Sequence, residues 1–135
     1  MTELCARVLE WIGRHPAAVT IVFVGDREMQ ALNARHRRKD YATDVLSFTY
    51  PEEQVDGMCF LGEVVIAPRV AARNAREDGI GVEAELRKLI VHGLLHLAGY
   101  DHETDSGEMN RLQKRILDRT ARERFSLVAG RPKNR

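Results

Sequence analysis

Apolar residues at the start of the chain fall three and four apart. Leu4, Cys5, Val8, Leu9 and Ile12 predict an amphipathic helix, ended by Gly13 and Pro16. Residues 19–24 (VTIVFV) are β-branched and apolar and predict a buried strand. Gly25 and Asp26 form a turn in which Asp26 can cap the next helix. That helix carries Met29 and Leu32 on one face and runs into the basic string Arg35-His36-Arg37-Arg38-Lys39. Residues 44–50 (DVLSFTY) alternate, with Leu46, Phe48 and Tyr50 on one side and Val45, Ser47 and Thr49 on the other, the period of a strand. Residues 51–57 are acidic and turn-rich and read as a surface loop.

Residues 61–67 (LGEVVIA) predict another strand. Pro68 suits the first position of the following helix, which Asp78-Gly79 closes. Residues 82–98 form a long helix, apolar nearly all round in its second half, and so a helix inside the fold. Gly99 is placed to cap it in the left-handed conformation. Asp105 and Glu108 make a capping-box-like start to a last helix, whose inner face is Met109, Leu112, Ile116 and Leu117. The order is α-β-α-β-β-α-α-α. One small mixed β-sheet packed with helices follows, an α/β (α+β) fold. The pattern fades from residue 124. Residues 1–128 read as a single domain and 129–135 as a basic, disordered tail.

Composition narrows the class. A chain of 135 residues makes about one domain and can bury roughly two-thirds of its unfolded surface. With 44% hydrophobic and 30% charged residues it is an ordinary globular protein, which excludes collagen, a disulfide scaffold and a disordered chain. The longest uncharged apolar run, around residues 89–100, is too short to span a bilayer and contains two histidines. The opening MTELCARVLE lacks the pattern of a signal peptide, so a cytoplasmic protein without membrane partners is expected. Cys5 and Cys59 form no CxxC pair and read as reduced, structural thiols.

The net charge of +1 hides an asymmetry. Residues 1–110 hold 12 basic and 18 acidic side chains, for −6, while residues 111–135 hold 9 and 2, for +7. A basic segment attracts polyanions, nucleic acid first among them, although a solvated helix face has the same composition.

The candidate chemistry lies in His92-Gly93-Leu94-Leu95-His96-Leu97-Ala98-Gly99-Tyr100-Asp101-His102, or H-x3-H-x5-H. His92 and His96 are four apart on a helix, one turn apart on one face. Gly99 ends the helix, and His102 can swing back as a third ligand. Three neutral imidazoles suit one Zn²⁺ with an open fourth position, though nickel or copper would accept the same ligands. Unpaired ring nitrogens on a buried apolar helix would cost about 1–3 kcal/mol each, and a metal satisfies them.

The spacing is that of the zinc-protease pattern H-E-x-x-H-x-x-G-x-x-H in all fixed positions but one. Gly93 occupies the slot of the glutamate that acts as general base. The scaffold is therefore metzincin-like, with a base to be sought among Glu63, Asp101 and Glu103. Asp101 suits either a carboxylate holding a ligand imidazole or a loop cap. Tyr100 and Met109 read as packing residues, and His15 as an exposed turn residue.

The segment from His92 to His102 resembles the signature of the bacterial YbeY family. Leu32-Asn33-x-x-His36-Arg37-x-Lys39-Asp40, followed by Thr43-Asp44-Val45-Leu46-Ser47-Phe48, resembles the family's region before the central strand. Leu61-Gly62-Glu63-Val64-Val65-Ile66 resembles its next strand. The likeness runs over residues 20–117. His36 stands where the family usually has tyrosine, Ala42 where proline is common, and Glu63 where aspartate is frequent.

The resemblance implies a single-strand-specific, metal-dependent endoribonuclease of rRNA maturation. It implies zinc on His92, His96 and His102, catalytic roles for His92 and Arg37, and RNA, the ribosome or ribosomal proteins as partners, with no organic cofactor. From the residues alone, a guanidinium such as that of Arg37 binds phosphate bidentately. Arg35 and Arg38 fit a solvated helix end, with Lys39 intermediate. Aromatic residues are 6% of the chain, no stacking platform is visible, and phosphate contacts are expected to dominate. A metallopeptidase and a non-catalytic RNA or ribosome adaptor with structural zinc are the alternatives.

Overall fold

The computed structural model describes residues 2–14, 17–55 and 57–123. The tail at 129–135 and the turn at His15 and Pro16 lie outside them. The elements are α1 (Thr2–Trp11), β1 (Ala17–Phe23), α2 (Asp26–Arg37), β2 (Val45–Val55), β3 (Met58–Ile66), α3 (Pro68–Asp78), α4 (Val82–Leu97) and α5 (Glu108–Glu123). Their order is the one the hydrophobic pattern predicts.

The sheet runs β1-β3-β2, with β1 parallel to β3 and β2 antiparallel to it, so β3 is central. Successive side chains of a strand point to opposite faces, and both faces of β3 are covered. Val64 and Ile66 join the larger core with Leu4 and Val8 of α1, Ile90 and Leu94 of α4, and Met109 of α5. Val65 points the other way, into a second cluster with Met29 of α2, Leu46 and Val70. Burial on both sides explains why β3 is a nearly unbroken apolar run.

Two expectations change. Residues 51–55 are strand, not loop. Val45–Val55 is one strand, and Glu53, Gln54 and Val55 pair with Phe60, Cys59 and Met58 in a hairpin turned at Gly57 (φ +79°). Cross-strand pairing overrides local turn propensity here. Pro51 is tolerated because it falls in the irregular register between Thr49 and Glu53 of an edge strand. Nor does Asp26 cap α2: the cap is Gly25, without a side-chain bond, and Asp26 accepts a hydrogen bond from Arg73 at 3.2 Å.

The other helix ends follow the sequence. Pro68 opens α3, and Gly79 ends it in the left-handed conformation. At α5 the Asp105 carboxylate accepts from the backbone N–H of Gly107 (2.8 Å) and Met109 (2.9 Å), while Glu108 accepts from Ser106 N–H (2.7 Å). Cys5 is buried, and desolvation pushes its thiol pKa up to about 11, so it stays protonated and inert. No helix among the described residues is long and apolar enough to cross a membrane.

Candidate metal centre

Most of α4 is inside the protein: Ile90, Val91, Leu94 and Leu95 are fully buried. His92 and His96, one turn apart, emerge half-buried at the margin of that surface. The helix then stops. Gly99 N–H donates to His96 O (3.0 Å) and Tyr100 N–H to Leu95 O (3.0 Å), with Gly99 at φ +104°. Arg14 reaches across to donate to Ala98 O at 3.3 Å. Beyond the turn, Asp101 accepts from Glu103 N–H at 3.0 Å, and its backbone carbonyl accepts from Thr104 and Asp105. Of its two expected roles, this hydrogen bond gives Asp101 that of loop cap, in the loop that folds His102 back.

The three rings converge. Their centroids are 4.6 Å (His92–His96), 5.5 Å (His92–His102) and 5.5 Å (His96–His102) apart. One ligand nitrogen from each lies within 4.8 Å of the others. Nε2 of His92 and Nε2 of His96 are 3.1 Å apart. Two nitrogens bound at about 2.0–2.1 Å to a tetrahedral zinc stand about 3.3 Å apart, so the His92–His96 pair has the spacing of two zinc ligands, and a His102 ring nitrogen stands within 4.8 Å to complete the set.

Protonation agrees. Nδ1 of His92 lies 2.9 Å from Oε1 of Gln113 on α5. A carbonyl oxygen only accepts, so Nδ1 carries the proton and Nε2 keeps its lone pair for a cation. Burial, then the neighbouring His92 and His102, hold the His96 pKa below its usual value. A backbone hydrogen bond with Tyr100 and the Asp101 charge act the other way. A depressed pKa keeps that imidazole neutral and able to ligate.

A cleft of about 430 Å³ opens over the rings, walled also by Arg37, Ser47, Thr49, Tyr100, Asp101 and Glu103. Arg37 is the last residue of α2. Arg38 follows at φ +58°, a left-handed conformation that side chains normally avoid. It is held there by bonds from Arg38 N–H to Ala34 O and Lys39 N–H to Asn33 O. Buried Asn33 donates to Tyr41 O at 2.9 Å and closes the same loop. Arg35, Arg38 and Lys39 do not wall the cleft and are exposed, as a solvated helix end should be.

Of the three candidate bases, Asp101 and Glu103 stand in the cleft wall. Glu63 stands outside it and accepts a hydrogen bond from Tyr50 at 2.9 Å. Tyr100 packs against the core and also walls the cleft; Met109 is fully buried. Gly93 has a steric reason to be glycine. A Cβ there would lie 2.6 and 2.8 Å from the Val64 methyls and 3.2 Å from Ser47 Oγ, where α4 meets the sheet. Gln113 escapes a reading of the sequence, because nothing in its local pattern distinguishes it from an ordinary polar helix position, while Asn33 and Ser47 stand within the family-like segments without a role that the sequence reveals.

Fold and site together define an α+β protein with a three-histidine candidate metal centre open to an arginine-bearing cleft. The family model described as Endoribonuclease YbeY matches residues 2–121, and the chain belongs to that family. Curated relatives bear the same name. The one from Thermodesulfovibrio yellowstonii is 40% identical over 102 residues, covering 73% of this chain and 64% of that protein. The one from Nautilia profundicola is 48% identical over 99 residues, covering 73% and 69%. One from an Anaeromyxobacter species is 51% identical over 98 residues, covering 73% and 50%. The matched part thus spans from half to about two-thirds of these relatives' own length. The solution structure of a Thermotoga maritima protein superimposes with a TM-score of 0.62 at 32% identity, over 96% of this chain and 89% of that one.

Proposed function

We propose that this chain is a zinc-dependent endoribonuclease that cuts single-stranded regions of rRNA in the cytoplasm, in rRNA maturation and ribosome quality control. Residues 1–128 form its one domain, and the ribosome or ribosomal proteins are its partners. His92, His96 and His102 hold one zinc ion, and Arg37 and His92 are its catalytic residues. The observation that carries this reading is the convergence of three ring nitrogens within 4.8 Å at a cleft that Arg37 also walls. Family membership supplies the substrate class.

Bound there, the ion supplies Lewis-acid activation of a phosphodiester oxygen or of water. The chain's own residues do the rest. Arg37 binds a phosphate through its guanidinium fork and offsets the negative charge that builds up as the bond breaks. Gln113 keeps the His92 ring turned with Nε2 toward the centre. Asp101 and Glu103 are the carboxylates within the cleft able to accept a proton. The peptidase alternative loses ground, since the slot of its general base is filled by Gly93 against Val64.

The test is RNA cleavage by the purified protein with its metal content measured. Arg37→Ala should retain the metal and lose about 10²-fold or more in kcat, the scale of removing one donor to a developing charge. His92→Ala should lose metal and activity together. Full activity in either variant refutes the assignment. A cyclic phosphate at the cleavage end would identify the RNA's own 2′-hydroxyl as nucleophile, and a 3′-hydroxyl with a 5′-phosphate would identify water.

A further inference from the structure

A second cleft of about 430 Å³ lies around the edge of β2, lined by His36, Arg37, Leu46, Ser47, Phe48 and Thr49. Arg37, Leu46, Ser47 and Thr49 also wall the histidine cleft, so the two hollows meet along β2 and at Arg37. We propose that this second cleft is a subsite for one unpaired nucleobase, adjoining the phosphate that Arg37 holds. The proposal rests on the nuclease reading above and adds to it which part of the RNA chain is gripped, and by what.

Three observations carry it. The first is aromatic: His36 and Phe48 meet edge to face, with centroids 4.9 Å apart and planes at 72°. Phe48 packs against the core beneath α2, so its ring is anchored before any ligand arrives. Single-stranded RNA is recognised mainly by stacking its splayed bases on rings of this kind. The second is polar. Among the described residues β2 pairs only with β3, so its outer edge has no strand partner to take up its backbone N–H and C=O groups. Together with the Thr49 hydroxyl, that edge offers donors and acceptors to the rim of a base, while the Ser47 hydroxyl is turned to Gly93 O at 3.4 Å.

The third is order. An aromatic pocket, then a guanidinium, then a metal-ligating trio follow one another along the same wall, as base, phosphate and reacting centre do along a nucleotide chain. The low aromatic content argues against a stacking platform, yet two rings brought together by α2 and β2 are enough for one base.

The test uses single-stranded RNA cleaved at one mapped bond, intact or with an abasic ribose on one or the other side of that bond. For the metal-loaded wild type, losing the base on one side should raise KM at least fivefold, and losing it on the other should matter less. In Phe48→Leu the abasic penalty should shrink to within twofold, because the contact is already gone. His36→Ala is a second, surface variant free of core packing and should shrink it likewise, while His36→Phe should restore it. A purely structural role for either ring would change all substrates alike. Equal KM for intact and abasic RNA in the wild type, or an undiminished penalty in both variants, overturns the subsite while leaving the nuclease reading standing. Failure to cut any intact RNA overturns that reading, and the subsite with it.

Discussion

Nδ1 of His92 on α4 and Oε1 of Gln113 on α5 lie 2.9 Å apart, so the last helix of the fold sets the tautomer of a ring carried by the one before it. Partners of this kind typically contribute 10–100-fold to metal affinity. Gln113→Leu should therefore weaken zinc binding by about that factor, measured by competition with a chromophoric chelator. Gln113→Glu still accepts the Nδ1 proton and should bind zinc at least as well as the wild type. Equal zinc affinity in Gln113→Leu would show that the ring needs no such support.

Gly93 tests the protease likeness from the other side. Restoring the missing glutamate as Gly93→Glu completes H-E-x-x-H in sequence. In space it drives a side chain into Val64, whose methyls leave only 2.6 and 2.8 Å to the first added carbon. Overpacking of this kind costs about 1–3 kcal/mol. Urea unfolding should show a loss of at least that size, with no turnover of an unfolded protein substrate. A stable, proteolytic Gly93→Glu would mean that the helix can lift off the sheet.

What the sequence made legible, and what it did not, divides by distance along the chain. Val64, Val65 and Ile66 show a buried strand because both faces of β3 select apolar residues. The histidine trio is readable because eleven residues of one helix and its turn contain it all. The far half of the hairpin is not, because Glu53 and Gln54 owe their strand state to Phe60 and Cys59 opposite. Gln113 belongs to the site through a contact made across two helices. Arg37 meets the cleft because the sheet order leaves β2 at the edge, and Asp26 does not cap because the helix begins one residue earlier than expected, with Gly25 at the cap and Asp26 its first residue.

Asp105 gives α5 an acid-sensitive start. Its pKa is lowered first by the hydrogen bond from Gly107 N–H and then by that from Met109 N–H. The unfolded chain therefore binds this proton at a higher pH than the folded one does. The stabilisation is complete above the ordinary aspartate value of 3.8 and is lost as pH falls through the depressed folded value. Asp105→Ala should melt at lower temperature than the wild type at neutral pH, and the gap should narrow as pH falls below about 4. Melting curves that stay equally separated down to the acid limit would contradict this account.

Removing the metal separates an enzyme from an adaptor. In small domains folded by zinc, the ion carries about 10–16 kcal/mol of folding free energy, and chelation unfolds them. Here Leu94, Leu95, Ile90 and Val64 are fully buried in a core shared by α1, α4, α5 and the sheet, while the histidine rings face the cleft. That core does not depend on the ion. The chelated protein should keep its far-UV circular dichroism and a single cooperative melt, while losing RNA cleavage. Its stability should fall only by the binding term, about 4 kcal/mol when zinc stands a thousandfold above its dissociation constant. Activity should return on adding zinc back. Loss of the cooperative transition on chelation would make the ion structural and favour the adaptor over the nuclease.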